Sequence, residues 1–484
     1  MRRPSTLLTL LFAASTAGCM GAPPYVTPPS RLPVAYGEGS GFGTRVAVDV
    51  PWWQDLRDPM LNGLVEQALR QNIDVQQALA TVREARAQSR AESGGGLPEI
   101  SGDASAVNSR TQIQFPNPQT GRLGQQEIGT NSARGDVTVR WELDLFGRYA
   151  SRRAAAAARL NASESDAQGA RLALIADLVD AYVELRGTQR RLAIAQRLVA
   201  AKGDAVRLTR GRSRAGFAST GDLARADDAL AVSDASLPPL RAQEDRLVFA
   251  IATLVGRLPR DLERLRGSAQ PLPVTGATPD PGIPADLLRR RPDVAAAEQR
   301  YAAAVADVGV ARADLYPTLS LSGTIGLLSQ STSGGLGRPD LTWSYGPALS
   351  LPIFDFGARR AQVDVRRAQA ERARLDYEEA VLLAVRDLET ALSDHREQRA
   401  RVVRAQARLT AAERGGVASR DLYRAGITSF LDVLTAEDAV LAARDALAVA
   451  EEAAGSALVT VYRNAGGGWA VPITHQTLDP VTPQ

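Results

Sequence analysis

The chain has 484 residues and a formal net charge of +3 at pH 7. Arg2 and Arg3 carry two of these charges, and because the first 18 residues contain no acid, the remainder carries only +1. Acidic residues are interleaved with basic ones throughout, which excludes a basic nucleic-acid-binding surface. Two His, one Cys and three Met are too few for a His/Cys metal site within one chain, and no cofactor motif is present.

The N-terminus predicts a secretory signal peptide over residues 1–18, with a positive start, an apolar core and small residues at the cleavage site. Cys19 follows directly and is the only cysteine, which excludes an intramolecular disulfide. The block Thr16-Ala17-Gly18-Cys19 resembles a bacterial lipoprotein box, in which the cysteine is acylated, with palmitate among the attached chains. A chance cysteine beside a cleavage site is the alternative.

The Pro- and Gly-rich residues 19–51 predict an extended, acylated tether. In the lipoprotein resemblance, Met20 after the cysteine favours sorting to the outer membrane. No later stretch approaches the ~18 uninterrupted apolar residues that a spanning helix needs. A membrane crossing by this chain would therefore use strands.

Helical spacing of apolar residues runs from Asp55 to Arg90, and a Gly run at 94–96 ends it. Two pairs of alternating segments follow later, 97–114 with 136–145 and 315–325 with 341–351, joined by loops at 115–130 and 330–340. Each strand has about ten residues, which is the length that crosses a bilayer when tilted. A half-buried soluble sheet alternates in the same way, so the strands alone leave both interpretations open. Pro347 predicts an edge or bulge position.

Long Ala-rich segments without Pro follow each strand pair, from Arg148 to about Arg212 and from Ala358 to about Arg414. At 1.5 Å per residue these helices extend roughly 85–100 Å, and such length predicts coiled-coil packing. Helices at 222–257 and 432–464 return from them. Pro238-Pro239 predicts a kink in the first returning helix only.

Fourteen residues beginning at Arg214 recur at Arg424, an offset of 210, with six identities that include Arg-Ala-Gly and an Asp six residues after the Gly. An offset this long indicates duplication of a domain-sized unit. The predicted repeats are 52–262, with a β-hairpin at about 97–145 and a helical hairpin at about 148–257, and 263–470, with corresponding hairpins at about 315–355 and 358–464. A tail, 471–484, follows. Because Gly permits a tight turn, the two Arg-Ala-Gly motifs are predicted hairpin tips.

Four strands cannot seal themselves within lipid. An open sheet leaves two edges of unpaired backbone groups, each costing several kcal/mol in hydrocarbon. The strands must therefore contribute to a barrel shared among copies by cyclic symmetry, although the physical argument does not choose how many copies.

The combination of a lipoprotein-type start, two β-hairpins and two very long helical hairpins resembles the outer-membrane factors of tripartite efflux pumps, the TolC-like channels, and within them the OprM-like lipoprotein branch. The resemblance covers roughly 50–470. Three further motifs carry it: Trp141-Glu-Leu-Asp-Leu-Phe-Gly147, Leu351-Pro-Ile-Phe-Asp-Phe-Gly357 and Ala465-Gly-Gly-Gly-Trp469.

The resemblance implies a mixed α/β membrane protein in which a homotrimer forms a twelve-stranded transmembrane β-barrel, four strands per chain, continuous with a long periplasmic helical barrel. It implies a lipid-anchored channel in the bacterial outer membrane that receives substrates from a periplasmic adaptor (membrane fusion) protein and an inner-membrane transporter. It implies no enzyme, no catalytic residue, no metal and no cofactor.

Members of the family close at the helical tips, where a Tyr and an Arg on the second tip link to an Asp on the first, and further Asp residues ring the aperture. The resemblance assigns these roles to Asp222, Tyr423 and the ring residue Asp432. Thr428 stands where TolC-like members have the Arg, so the lock is either weaker here or Arg424 contributes to it.

Thr435 replaces a second Asp of the ring. The alternative role for Asp222 and Asp432 is purely structural, because each follows a turn and precedes a helical run, as a helix N-cap does. Both roles could coexist.

Three other functions compete with an efflux exit channel. A periplasmic coiled-coil adaptor lipoprotein would have one helical hairpin flanked by small β domains, whereas this chain has two hairpins and paired strands. A type I secretion channel of the outer membrane would share the whole architecture. A secreted enzyme would need a catalytic motif, and neither a Gly-x-Ser-x-Gly elbow nor a nucleotide loop is present.

Overall fold

The structure is a computed structural model of the chain and describes residues 51–116, 121, 123–267, 291–332 and 336–466. The predicted signal peptide, the lipidation site at Cys19, almost all of the tether and the tail 471–484 lie outside the described residues. Trp469, the end of the last family motif, also lies outside them.

Eight α-helices and four β-strands make up the described part of the chain. In chain order they are α1 (Pro59–Gln71), α2 (Ile73–Gly94), β1 (Glu99–Pro116), β2 (Leu123–Leu143), α3 (Arg148–Arg214), α4 (Thr220–Asp234), α5 (Leu237–Val255), α6 (Pro292–Ala313), β3 (Thr318–Ser331), β4 (Asp340–Ser350), α7 (Ala358–Arg424) and α8 (Phe430–Asn464).

These elements form two compact units. The sheet unit comprises Arg83–Asn161 and Glu298–Leu375, and the helical unit comprises the described parts of Pro29–Val82, Ala162–Ala297 and Asp376–Gln484. Each unit therefore takes segments from both halves of the sequence. None of the helices in the described residues combines the length and apolar composition required to cross a membrane.

The four strands form one antiparallel sheet in the order β1-β2-β3-β4. β4 is an outer strand, as predicted from Pro347. The prediction of ten-residue strands and a loop at 115–130 was wrong, because β1 has 18 residues, β2 has 21 and the first hairpin pairs as far as Pro116 with Leu123. The part of this first hairpin that lies nearest its turn carries mostly polar side chains without alternation. Its two strands pair through backbone hydrogen bonds, which the side-chain pattern does not reveal.

The register of the sheet places apolar residues on one face and polar residues on the other. Directly paired residues share a face, and Val137, Ile325 and Trp343 follow one another across three strands. On the opposite face the hydroxyls of Thr138 and Thr324 lie 3.1 Å apart. The apolar face is exposed in the chain, and its large residues are Ile100, Val137, Val139, Trp141, Leu321, Ile325, Leu327, Leu341, Trp343, Tyr345 and Leu349.

The long helices α3 and α7 have 67 residues each and therefore measure about 100 Å. Each starts after a turn with a positive-φ glycine, and an aspartate before it accepts from two backbone amides near the helix start, as Asp144 does from Tyr149 and Ala150. α7 runs to Arg424 and not to about Arg414. The Gly pair at 415–416 lies inside this helix. A side chain at Gly416 would crowd Val440 of α8, so this glycine permits close helix packing.

The first returning helix is interrupted as Pro238-Pro239 predicts. α4 ends at Asp234 and α5 begins at Leu237, which leaves both prolines in the first turn of α5, where no intrahelical N–H bond is lost. The corresponding α8 continues unbroken for 35 residues.

The helix expected from Asp55 to Arg90 is a short 3₁₀ turn, Trp52–Leu56, followed by α1 and α2. Asn72 separates the two helices, accepting from the Val75 amide (3.0 Å) and donating to the Leu254 carbonyl of α5 (3.0 Å). These bonds compensate for the helical hydrogen bonds that are lost where the helix breaks. The spacing of apolar residues alone did not indicate this break.

The core of the helical unit packs α1, α3, α5 and α8 together, with Trp52 stacked on Tyr462 at 4.6 Å between ring centroids. A chain of polar side chains crosses it. The Tyr182 hydroxyl donates to Asp58 (2.6 Å), and Arg186 donates to both Tyr182 and Gln189 (2.8 Å each). Buried polar groups are tolerated because each is hydrogen-bonded.

Candidate functional site

The first hairpin tip joins α3 to α4. Gly216 has φ +79°, and Phe217 donates its amide to the Arg212 carbonyl (2.8 Å), which is the bond pattern of a glycine-terminated helix. Ser219 then begins α4. Its hydroxyl accepts from the Asp222 amide (3.1 Å), and Asp222 accepts in return from the Ser219 amide (3.0 Å).

The second tip repeats this geometry between α7 and α8. Gly426 has φ +69°, and Ile427 donates to the Leu422 carbonyl (2.9 Å). Ser429 and Asp432 exchange the same pair of capping bonds. Both Arg-Ala-Gly motifs are therefore hairpin tips, as the sequence predicted.

The N-cap assignment for the two aspartates was wrong by three positions. The N-cap residues are Ser219 and Ser429, and the aspartates occupy the third helical position of a capping box. The Ser-x-x-Asp spacing was present in both copies of the motif and could have revealed this. The aspartates thus have a structural role whether or not they also line an aperture.

Asp432 has a further bond that Asp222 lacks. The Thr428 hydroxyl donates to its carboxylate at 2.6 Å, together with the amide and hydroxyl of Ser429. Thr428, the residue in place of the family's Arg, therefore orients the ring candidate. Asp222 is instead bonded by Arg225 from its own helix (2.5 Å).

Both tip carboxylates are held in the charged form. Bonds from the Ser219 hydroxyl and amide, then Arg225, lower the pKa of Asp222 to about 2, and bonds from Thr428 and Ser429 lower the pKa of Asp432. A carboxylate with a lowered pKa carries its charge at neutral pH and cannot act as a proton donor. Both carboxylates are therefore ionised at neutral pH, and that of Asp222 is paired with Arg225.

The predicted link between the two tips is not formed within one chain. Among the described residues, no hydrogen bond or ion pair joins Asp222 to Tyr423, Arg424 or Thr428. Arg424 pairs instead with Asp421 (3.0 Å), and the Tyr423 ring lies 5.6 Å from that of Phe430.

Thr435, which stands in place of a second ring aspartate, donates to the Leu431 carbonyl of its own helix (2.9 Å). No cluster of three or more potential metal ligands is found in the described residues.

Sequence reasoning missed a ladder of ion pairs between the two hairpins. It has no sequence signal, because it depends on α3 and α8 packing antiparallel in a register that only the fold sets. In the part of the chain that the structure describes, four pairs join α3 to α8: Asp177 with Arg463 (3.0 Å), Arg190 with Glu451, Arg191 with Asp445 (2.9 Å) and Lys202 with Asp438.

The comparison with protein families gives one match over most of the chain. The sequence model of the family described as "Outer membrane efflux protein" matches residues 64–257 and 283–467. The two matched segments contain both helical hairpins and both tips.

Known relatives align over nearly the full length. Nodulation protein T of Rhizobium leguminosarum bv. trifolii is 34% identical over 448 residues, which is 91% of this chain and 92% of that protein. Outer membrane protein OprJ of Pseudomonas aeruginosa is 31% identical over 480 residues, 97% of each. The structure is similar to that of the outer-membrane channel OprN, with a TM-score of 0.82 and 36% identity over 93% of this chain and 100% of that chain.

These findings confirm the expected fold, in which each of three chains contributes four strands to a shared barrel and two long helical hairpins to a helical one. They also confirm the outer-membrane location with a large periplasmic part, and the partnership with a periplasmic adaptor and an inner-membrane transporter. The family is one of channels and not of enzymes. The chain therefore belongs to the outer membrane efflux protein family and is an outer-membrane exit channel of a tripartite efflux pump.

Proposed function

We propose that the channel releases substrates to the exterior unchanged, with no covalent bond made or broken, and that its flow is controlled at the two hairpin tips. The observation that carries the proposal is the sheet: its apolar face is exposed and its outer strands, β1 and β4, each pair on one side only. In lipid such edges must pair with a neighbouring chain, and the enclosed polar face then lines a passage.

Purified protein tests this conclusion directly. In detergent it should run on an unheated gel as a trimer and, after boiling, as a monomer somewhat below the 51.4 kDa of the full chain, because the signal peptide has been removed. Reconstituted in a planar bilayer, it should conduct ions. A monomer that stays in solution without detergent, or a trimer that never conducts, contradicts the proposal.

We propose that the periplasmic gate consists of Asp222, Tyr423, Arg424, Thr428 and Asp432, with three Asp432 carboxylates near the axis forming a cation-favouring constriction. Support comes from the position of Asp432 at an exposed tip, from its lowered pKa and from the Thr428 bond that orients it. Among the described residues no hydrogen bond or ion pair links the two tips within one chain, and we therefore propose that the lock involves neighbouring copies.

Replacing Asp432 with Asn tests the gate, because the amide oxygen can still accept the Ser429 bond of the capping box. We expect cation selectivity in the bilayer to fall. Asp204→Asn is the control, since it removes an exposed carboxylate that pairs with Arg207 on α3, outside the proposed gate. Equal selectivity changes in the two variants, or none in Asp432→Asn, would leave only the capping role.

Two further parts of the proposal rest on the sequence. Cys19 is the acylated anchor, and Cys19→Ser should abolish palmitate labelling while the trimer still forms.

The chain is a tandem repeat of 52–262 and 263–470, which is supported by two 67-residue helices that begin and end at an offset of 210.

A further inference from the structure

A carboxyl group occupies a point of close approach between α3 and α8. A side chain at Gly187 of α3 would overlap the carboxyl group of Glu452 on α8. The Glu452 Oε2 atom is buried and has no hydrogen-bond partner among the described residues. Because Gly187 has no side chain, the carboxyl group of Glu452 fits in the space beside it.

The groups facing Glu452 are mostly negative. Asp180 and Glu184 face it from α3, and Asp445 from its own helix. An opposing cation, Arg191, is already bonded to Asp445. Asp180 also has a buried oxygen, Oδ1, with no partner in the described part of the chain. Burial raises the pKa of Glu452 to about 7, the three carboxylates add to this, and Arg191 opposes it.

We propose that Glu452 is a proton-controlled contact that sets how closely α8 packs on α3. With its proton bound, the carboxyl group is neutral and fits against Gly187. Once ionised, it is repelled by Asp180 and Glu184 in a poorly solvated position, and α8 moves away from α3.

The consequence for the channel rests on the proposed gate. α8 begins at the second tip and carries Asp432 in its first turn, so a change in its packing on α3 alters the position of the tip. On this proposal, looser packing of α8 on α3 opens the tip, so the channel conducts more as the pH rises through neutrality.

A second titratable group lies on the other side of α8 and limits the useful pH range. His395 of α7 is buried and bonded to the Ala454 backbone of α8, with Arg399 on its own helix as the charged group that influences it. Its pKa is lowered from 6.5, so it is neutral above that pH. Glu452, with a pKa of about 7, is the group near this contact placed to change charge between pH 6.5 and 8.5. Burial, and then Asp180, also raise the pKa of Glu184, and Asp432 stays ionised.

The test is bilayer conductance of the full-length trimer across pH 6.5–8.5. The protonated fraction of Glu452 falls roughly 25-fold between pH 6.5 and pH 8.5 for a pKa near 7, so wild-type conductance should rise in this range. Glu452→Gln, a neutral isostere, should stay at the low-pH level throughout. Glu397→Gln is the control, because this exposed carboxylate pairs with the adjacent Arg396 on α7 and should retain the wild-type response.

Each outcome is decisive. Wild-type conductance that does not change over this range overturns the inference even if the Gln variant fails to assemble. A Glu452→Gln channel that responds to pH as the wild type does also overturns it. A protein that conducts at no pH contradicts the proposed function itself, which is a different result from a channel that conducts without pH dependence.

Discussion

Arg186 shows how a single buried residue organises the helical unit. Its side chain is 3% exposed, its guanidinium lies over the Tyr182 ring at 4.7 Å, and it donates to Tyr182 and Gln189. Gln189 in turn donates to Glu244 of α5 (2.9 Å). One cation thus connects α3 to the N-cap of α1, through Asp58, and to α5.

Replacing Arg186 with Met should lower the free energy of unfolding by about 3 kcal/mol, because it leaves buried acceptors unpaired. Arg190→Met, one turn further on, removes a partly exposed ion pair with Glu451 and should cost less than about 1 kcal/mol. The heating midpoint of the detergent-solubilised trimer measures both. Similar shifts in heating midpoint for the two variants would show that the buried network stabilises the protein no more than a partly exposed ion pair does.

His395→Gln should remove an acid-sensitive contribution to stability. Burial, and then Arg399, lower the pKa of His395, while its bond to the Ala454 backbone opposes the shift. A base with a lowered pKa is neutral in the folded state, so its stabilising contribution is present at pH 7 and is lost as the pH falls below 6.5.

The heating midpoint measured between pH 7 and pH 5 should therefore fall further for the wild type than for His395→Gln. The raised pKa of Glu452 makes the protein more stable as the pH falls, which is opposite to the effect of His395. The informative quantity is therefore the difference in heating midpoint between the wild type and His395→Gln at each pH. A difference that does not vary with pH would contradict the assignment.

Helix packing in the helical unit depends on glycines at points of close approach. A Cβ added at Gly455 of α8 would lie 2.8 Å from Val183 Cγ1 of α3, and one added at Gly416 of α7 would lie 3.3 Å from Val440 of α8. Helices that approach this closely leave no room for a methyl group. α8 therefore packs tightly against both long helices.

Gly455→Ala should destabilise the protein by about 1–3 kcal/mol through overlap with Val183. Gly63→Ala in α1 is the matched control: nothing lies within 4 Å of its added Cβ, and alanine should stabilise this helix by about 0.5–1 kcal/mol. The heating midpoint should fall for the first variant and rise for the second. A rise in both would contradict the close approach of α3 and α8.

At the scale of the whole molecule, the sheet is incomplete in one chain. Its register places Trp343, Tyr345 and their neighbours on one exposed face, and Tyr345 is 82% exposed. About ten tilted residues cross the hydrocarbon, which matches the apolar part of β3 and β4 and leaves the polar outer part of β1 and β2 beyond it. Lipid covers the apolar face, and neighbouring chains pair with the edges.

Trp343→Arg should reduce assembly of the trimer, because Arg on the lipid face costs up to about 2–4 kcal/mol per chain. Ser344→Arg places the same charge on the opposite, polar face of β4, where we expect little effect. The fraction of unheated protein that runs as a trimer is the readout. Equal losses in both variants would mean that the two faces of β4 are not distinguished by lipid.

Much of the fold followed from local patterns, whereas much of the site did not. The tips at Gly216 and Gly426, the break before Pro238 and the edge position of Pro347 all follow from backbone chemistry that a sequence displays. The ion pairs between α3 and α8, and the contact of Gly187 with Glu452, depend on the register of two helices far apart in sequence, and no periodicity encodes that register.

The sequence by itself determined the family, the outer-membrane location and the kind of elements present, because periodicity, breakers and a 210-residue repeat are local properties of the chain. Only the tertiary structure decided that Ser219 and Ser429 cap the returning helices, that Thr428 orients Asp432 and that Glu452 meets Gly187. Such contacts are set by how antiparallel helices align, and that alignment is a result of packing the whole unit.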